Sequence, residues 1–371
     1  MKIGVLTSSR ADFGIYLPLL KQLKEDTSII LKIIAFGTHS SFHHGQTIQE
    51  IKENGFHNID TISSLLTNDD EQSIATSYGL TTIKFADYWS SHMFDLVFCL
   101  GDRFEMSAAV QAGVPFGITF AHIHGGETTL GAIDNVYRHQ ITIASELHFT
   151  STQEYAKKVK ELIGTNEKIY NVGSLSLDEI SKIELVNQEK LRDQFNIPQD
   201  DYILATFHPE TVGSHQNEKY AKEMASALQS LAEQFIIVIT MPNADTAGSL
   251  YRREIQKLKE SLFPEDIVIV ENFGKKNYFS AIRYATLLIG NSSSGIIEAA
   301  SFGKYAVNVG DRQKGRAQND NVLNCKFDKG EILETVFKAN ELGRYQGENI
   351  YFKENVADNI VRIIKSYNET L

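Results

Sequence analysis

Cysteine is almost absent from the 371 residues: Cys99 and Cys325 stand far apart and form no Cys-x-x-Cys pair. That excludes a disulfide-stapled scaffold and a cysteine-based structural zinc site, and it predicts a reduced, cytoplasmic setting. No apolar run approaches the ~18–20 residues that span a bilayer. The opening MKIGVLTSSR does not read as a secretory leader, because its apolar stretch is short and runs straight into Arg10 and Asp12. Low-complexity segments and short-period repeats are missing too. Nor is there a basic excess. Lys and Arg total 36 against 47 Asp and Glu, a net charge of −11, which argues against a nucleic-acid partner. An anionic small ligand remains compatible, since a few arginines make one cleft positive inside an acidic protein.

What is present is an ordinary globular composition, 42% hydrophobic and 22% charged, at a length suited to about two domains. Apolar runs alternate with helical periodicity. Strands are expected at Lys2–Thr7, Ile29–Phe36, Asp95–Leu100 and Phe116–His122, with helices at Phe13–Lys24, Ile74–Ser91 and Arg103–Ala112. A helical connector is expected near Leu177–Pro198. The pattern then restarts with strands at Tyr202–Thr206, Phe235–Thr240, Ile267–Val270, Leu287–Ile289 and Tyr305–Val309, and with helices including Lys219–Glu233 and Gly295–Phe302. This predicts an α/β protein made of two doubly wound, Rossmann-like domains, residues 1–175 and 176–352, sharing a cleft. The tail is helical, and its helix (353–369) is expected to pack back on the first domain.

In such sheets ligands bind beyond the carboxyl ends of the strands, and the unusual residues of this chain lie there. Gly290-Asn-Ser-Ser-Ser-Gly295 follows a strand and opens a helix. Its small residues allow close approach, and Ser292, Ser293 and Ser294 offer hydroxyls for a diphosphate. A capped helix needs only one such serine. Glu298 stands four residues beyond Ser294, where it can accept from ribose hydroxyls or complement the helix start. Ser8–Asp12 has no GxGxxG pattern, and no Walker lysine occurs; Arg10 is a candidate phosphate clamp. Asp102, after a buried strand, is a candidate acid, base or helix cap. His122-Ile-His124-Gly-Gly-Glu127, followed by Asp134, Arg138 and His139, suggests a tight turn against a substrate. A metal reading fails for want of a third ligand at a zinc spacing. His208 is expected to face the cleft, where its protonated form would neutralise a diphosphate. Asp311–Arg316 adds Arg312, Lys314 and Arg316, either for the same role or as a solvated basic loop. His43 and His44 read as loop residues.

The ordered set SSRADFG, LGDRFE, HIHGGE, FHPET, GNSSSGIIE and NVGDRQKGR resembles the UDP-N-acetylglucosamine 2-epimerase family over nearly the whole chain, most closely its hydrolysing branch. The resemblance implies two Rossmann-like domains of the glycosyltransferase-B type. It implies conversion of UDP-N-acetylglucosamine and water to N-acetylmannosamine and UDP through a 2-acetamidoglucal intermediate, for sialic-acid-type sugars, with no cofactor or metal. UDP-N,N′-diacetylbacillosamine, a precursor of legionaminic acid, is the rival substrate, and a B-type glycosyltransferase the rival activity. By resemblance, Arg10, His208, Ser292 and Ser293 contact the diphosphate, Glu298 the ribose, and the Asn272–Phe273 backbone the uracil. Asp12, Arg138, Ser294, Gly295 and Arg312 complete the substrate-binding set. Asp102 and Asp134 match acids implicated in catalysis. Several family members carry glutamate where this chain has His124, so either His124 or Glu127 takes the proton at C2. The partner is a small-molecule UDP-sugar, with no nucleic acid or membrane, and the family commonly assembles as homodimers or homotetramers.

Overall fold

The computed structural model describes every residue except 41–46, 67, 69, 131–132, 179, 181–182, 211–213, 242–247 and 370–371. His43, His44 and Thr211 therefore lie outside the described residues. The chain divides into two compact units. The first comprises Met1–Glu127, Asp134–Glu179 and Tyr351–Leu371; the second comprises Thr128–Ile133 and Ile180–Ile350.

The first unit is built on a parallel sheet of β1 (Lys2–Thr7), β2 (Ile30–Ala35), β3 (Ile59–Thr61), β4 (Leu96–Leu100), β5 (Phe120–Ile123), β6 (Leu147–Thr150) and β7 (Ile169–Asn171). Their order is β3-β2-β1-β4-β5-β6-β7. The strands read as apolar runs because both faces are covered. Ile3, Val5, Leu96 and Phe98 enter one core, while Leu6, Val97 and Cys99 enter the other. The second unit repeats the design with β8 (Tyr202–Thr206), β9 (Ile236–Thr240), β10 (Ile267–Val270), β11 (Leu288–Gly290), β12 (Ala306–Val309) and β13 (Val322–Cys325), ordered β10-β9-β8-β11-β12-β13. In each sheet the order reverses once, between β1 and β4 and between β8 and β11. A crevice opens at such a reversal. The residues flanking it are Ser8 and Gly101 in one unit and Phe207 and Asn291 in the other.

The expected α/β class and doubly wound topology are what the structure has, with local differences. The strand expected from Phe116 begins only at Phe120. Pro115 sits in a short 3-10 turn, Val114–Phe116, closed by Gly117 at φ 65°. Proline presets such a turn and glycine accepts the left-handed backbone that ends it. Among the described residues, the connector expected to be helical from Leu177 to Pro198 is α-helical only over Gln188–Phe195, between the Asn187 cap and Asn196 in the left-handed region. The tail forms a helix, Val356–Asn368, whose Val356, Ile360 and Ile364 join the core of the first unit with Leu19, Leu20 and Leu23. Thr128–Ile133, between β5 and the following helix, groups with the second unit, where the Leu130 N–H donates to the Lys314 carbonyl at 2.8 Å.

Candidate active site

The strand-end residues of the first unit form one connected polar cluster. β5 ends at Ile123, and His124 turns the chain with a φ of 66°. A non-glycine residue there carries local strain. Gly126, at φ 76°, needs to be glycine because a Cβ would lie 2.5 Å from the Tyr155 carbonyl oxygen. This turn brings Glu127 back on His124, with Oε1 2.9 Å from Nδ1. Both side chains are buried, and Ser151 Oγ donates to the same carboxylate oxygen at 2.9 Å. A carboxylate accepts, so Nδ1 donates. Neutral His124 then carries its lone pair on Nε2, and that atom is buried with no hydrogen-bond partner. Such an arrangement can serve as a histidine base oriented by an acid.

Arg138 organises the other side of the cluster. It lies one turn beyond Asp134 on the helix Asp134–Ala144. Its Nη1 donates to the His124 carbonyl at 2.8 Å, its Nη2 donates to Asp102 Oδ2, and Glu127 Oε2 is 3.9 Å away. Arg138 is thus a buried positioning group. Asp102 was a candidate helix cap, but Arg103 occupies the cap position and Asp102 faces Arg138 instead. Burial, then the nearby charge of Asp102, raise the Asp134 carboxyl to about 6. Its proton is therefore available near neutral pH.

His122 differs from His124 despite the HxH spacing. It is fully buried, its Nε2 donates to the Gly101 carbonyl at 2.8 Å, and burial holds it down at about 3. It ties β5 to the turn after β4 as a neutral strut. Among the described residues no group of three or more His, Cys, Asp or Glu is placed to hold a metal ion.

Arg10 and Asp12 sit after β1. Ser9 caps the helix Arg10–Glu25. The buried Asp12 carboxylate accepts from both the N–H and the hydroxyl of Ser8, at 3.0 and 2.7 Å, so it shapes the loop. Arg10 is more than half exposed and pairs with Glu50 at 2.8 Å. Arg103 was not singled out by the sequence. It pairs with the buried Glu105 at 2.9 Å, and the carboxylates of Glu105, Asp12 and Asp102 hold its guanidinium firmly charged.

The second unit places its candidates around Asn291. This buried side chain accepts from the His208 N–H at 2.7 Å and donates to the His208 carbonyl at 2.8 Å. Its own carbonyl accepts from Arg312 Nη1 at 3.2 Å and from Gln313 Nε2 at 2.9 Å. One residue thus fixes the loops after β8, β11 and β12. Gly290 makes this possible, since a Cβ there would stand 1.8 Å from the Thr206 carbonyl. Buried Glu210 adds a tie, accepting from the Asp311 N–H at 2.7 Å. Asn291, Gln313 and Glu210 lay inside the quoted motifs, but only their buried pairing reveals their role.

His208 requires a correction. Burial and the nearby Arg312 lower it to about 3, so it is neutral at pH 7 and offers hydrogen bonds rather than charge. The expected helix after Gly295 is also shorter: α-helix covers Ser293–Ile297 and a 3-10 turn continues over Ala299–Phe302. Five residues make a weak dipole. Ser292 caps it, accepting from the Ser294 N–H at 3.4 Å, and Glu298 lies at its carboxyl end beside the Tyr278 hydroxyl. Ser294 is buried, Ser293 and Gly295 half-buried. Of the cations after β12, Arg312 turns inward to Asn291, whereas Lys314 is largely exposed and pairs with Asp311 at 3.4 Å. The Phe273 ring is core, packed 4.5 Å from that of Phe195.

The sequence profile of UDP-N-acetylglucosamine 2-epimerase matches residues 21–365. The chain is 33% identical to the polysialic acid biosynthesis protein P7 of Escherichia coli, over 99% of this chain and 94% of that protein. It is also 33% identical to a hydrolysing GDP/UDP-N,N′-diacetylbacillosamine 2-epimerase of Campylobacter jejuni, over 88% of this chain and 84% of that one. In fold it is similar to a UDP-GlcNAc 2-epimerase of Neisseria meningitidis solved with UDP-GlcNAc bound. That likeness has a TM-score of 0.81 at 18% identity and covers 99% of this chain and 100% of the other. With two doubly wound sheets, this set of strand-end residues and a matching profile over most of its length, the chain belongs to the UDP-N-acetylglucosamine 2-epimerase family.

Proposed function

We propose that the protein is a hydrolysing UDP-N-acetylglucosamine 2-epimerase, converting UDP-N-acetylglucosamine and water to N-acetylmannosamine and UDP. The observation that carries this reading is the oriented His124, whose buried Nε2 has no partner while Glu127 holds Nδ1. The C2–H of a sugar is barely acidic, so the C1–O bond must lead. Its electron pair leaves with UDP, and cationic character builds at C1. Arg312, the serine hydroxyls and the loop N–H groups after β11 stabilise the departing diphosphate. His124 Nε2 takes the C2 proton, and the C–H electron pair forms the C1–C2 double bond of 2-acetamidoglucal. Glu127 stabilises the imidazolium that results.

A second acid then returns a proton to C2 on the opposite face, the C1–C2 π pair forming the new C–H bond. Water bonds through oxygen to C1 and gives up one proton to solvent, from which the acid is recharged as the imidazolium releases its own. Asp134 suits the protonation of C2 because its carboxyl holds a proton up to about pH 6; the Asp102 carboxylate, paired with Arg138, balances the charge at C1. A cytoplasmic location and assembly as a homodimer or homotetramer belong to the same proposal. Sedimentation of the purified chain tests the assembly.

The experiment is turnover in D2O without any acceptor. N-acetylmannosamine carrying deuterium at C2, released with one UDP per sugar, supports the reading. A product protonated at C2 with unchanged configuration overturns it in favour of simple hydrolysis or glycosyl transfer. A second substrate, UDP-N,N′-diacetylbacillosamine, is favoured by the name of the Campylobacter relative. Comparing kcat/KM for the two sugars side by side decides between them.

A further inference from the structure

A pocket of different character lies at the amino-terminal end of the second sheet. It is a cavity of about 310 Å3 reached by Thr286, just before β11, and Lys304, just before β12. Arg283 and Tyr284 reach it from the end of the helix Gly274–Tyr284, and Arg344 from the turn after the helix Lys329–Leu342. The Asn291 loop follows β11, so the two places stand at opposite ends of the same strand.

Three cations converge here in a protein of net charge −11. Some exposed cations of this unit have acid partners: Arg252 pairs with Glu271, Lys257 with Glu254 and Lys326 with Glu331. Among the described residues no carboxylate pairs with Arg283, Lys304 or Arg344. Burial, then Arg344 and Arg283, depress the Lys304 ammonium, against a smaller opposing pull from the Asp201 carboxylate. The backbone makes room for this crowding. Gly303 has a φ of 69°, and a Cβ there would meet Arg344 Nε at 2.8 Å. Ser301 Oγ accepts from Asn349 Nδ2 at 2.7 Å, which leaves its own proton to donate. A cluster of like charges with neutral donors beside it is complementary to a multiply charged anion. The cavity exceeds the size of a bare phosphate, and the Tyr284 side chain lines it.

We propose that this pocket binds the phosphoryl group of a small phosphate ester, at a site separate from the strand-end loops. The test is calorimetric titration of the full chain with uridine monophosphate and with inorganic phosphate at low ionic strength. Two classes of nucleotide site per chain are expected. Lys304→Ala/Arg344→Ala should remove one class, weakening it by at least about tenfold, and Arg312→Ala should weaken only the other. The class retained in each variant shows that the variant is folded, and Arg344→Gln, a single exposed change, serves if the double variant is not. One class in the unmodified protein, or two classes unaffected by these changes, overturns the site. Tighter binding of inorganic phosphate than of the monophosphate at the Lys304-dependent class overturns the ester assignment.

Discussion

Glu127 and His124 are three residues apart on a glycine turn, yet the carboxylate of one lies 2.9 Å from the ring nitrogen of the other. The pair has the geometry of an oriented base, and it separates the two residues by role: His124 presents the free nitrogen and Glu127 fixes the tautomer. Glu127→Gln substitutes an amide whose N–H2 can donate to Nδ1 and move the ring proton to Nε2. Turnover should fall about 10²-fold or more, with UDP affinity by calorimetry unchanged. Loss of UDP affinity in parallel with turnover would assign Glu127 to binding instead.

Asp134 titrates at about 6 in the folded chain against an ordinary 3.8. A raised carboxyl favours folding below pH 4, and that contribution disappears as pH rises through 6. Asp134→Asn should therefore be more stable than the parent at pH 8, by about 3 kcal/mol, and no more stable at pH 4. Urea unfolding at the two pH values checks this. The same substitution should remove from the pH–rate profile the limb that falls above pH 6.

Neutral His208 makes a different forecast for the second unit. UDP affinity should show no inflection from this group between pH 5 and 8, because it charges only near pH 3. Arg312→Ala should cost about 1.5–3 kcal/mol of UDP binding, while His208→Gln should cost less. A pH-dependent affinity abolished by His208→Gln would restore a charged histidine to the diphosphate.

Asn291→Ala strips two hydrogen bonds from the His208 backbone and leaves both groups buried. A loss of about 2–4 kcal/mol in urea unfolding is expected.

Several histidines add an acid limit to stability. His122 and His208 are held at about 3, and His39 and His148 at about 4, in each case chiefly by burial. Unfolding returns each to about 6.5. Protons then bind the unfolded chain more readily, so stability should fall as pH drops from 6.5 toward 4. His122→Gln should flatten that slope in a pH series of thermal melts.

The sheets were legible because parallel strands buried on both faces are continuous apolar runs, as in Val97–Leu100 and Ile203–Ala205. The interior strand Leu147–Thr150 was not, because His148 and Thr150 interrupt its apolar run although all four residues are buried. Nor were the edge strands Ile59–Thr61, Ile169–Asn171 and Val322–Cys325, which are different in kind. They span three or four residues, most only partly buried, and so lack a distinctive pattern. The strand-end rule pointed to residues that the structure does gather in the loops after the strands, but it could not rank the histidines. His122 and His124 share one tripeptide. What separates them is that one ring nitrogen reaches a backbone carbonyl and the other faces an acid, and both contacts are tertiary. Asn291 escaped for the same reason, as an asparagine in a serine-rich loop looks like ordinary turn chemistry.

The helix Val356–Asn368 supplies part of a core whose strands begin at residue 2. On the ribosome, the first unit cannot finish its hydrophobic interior until residues 356–364 have been made, by which time every residue of the second unit has already been joined to the chain. The order of completion during synthesis is therefore the reverse of the order of the sequence. The amino-terminal sheet waits open on one side, and any ribosomal stall between residues 340 and 356 leaves that apolar face uncovered.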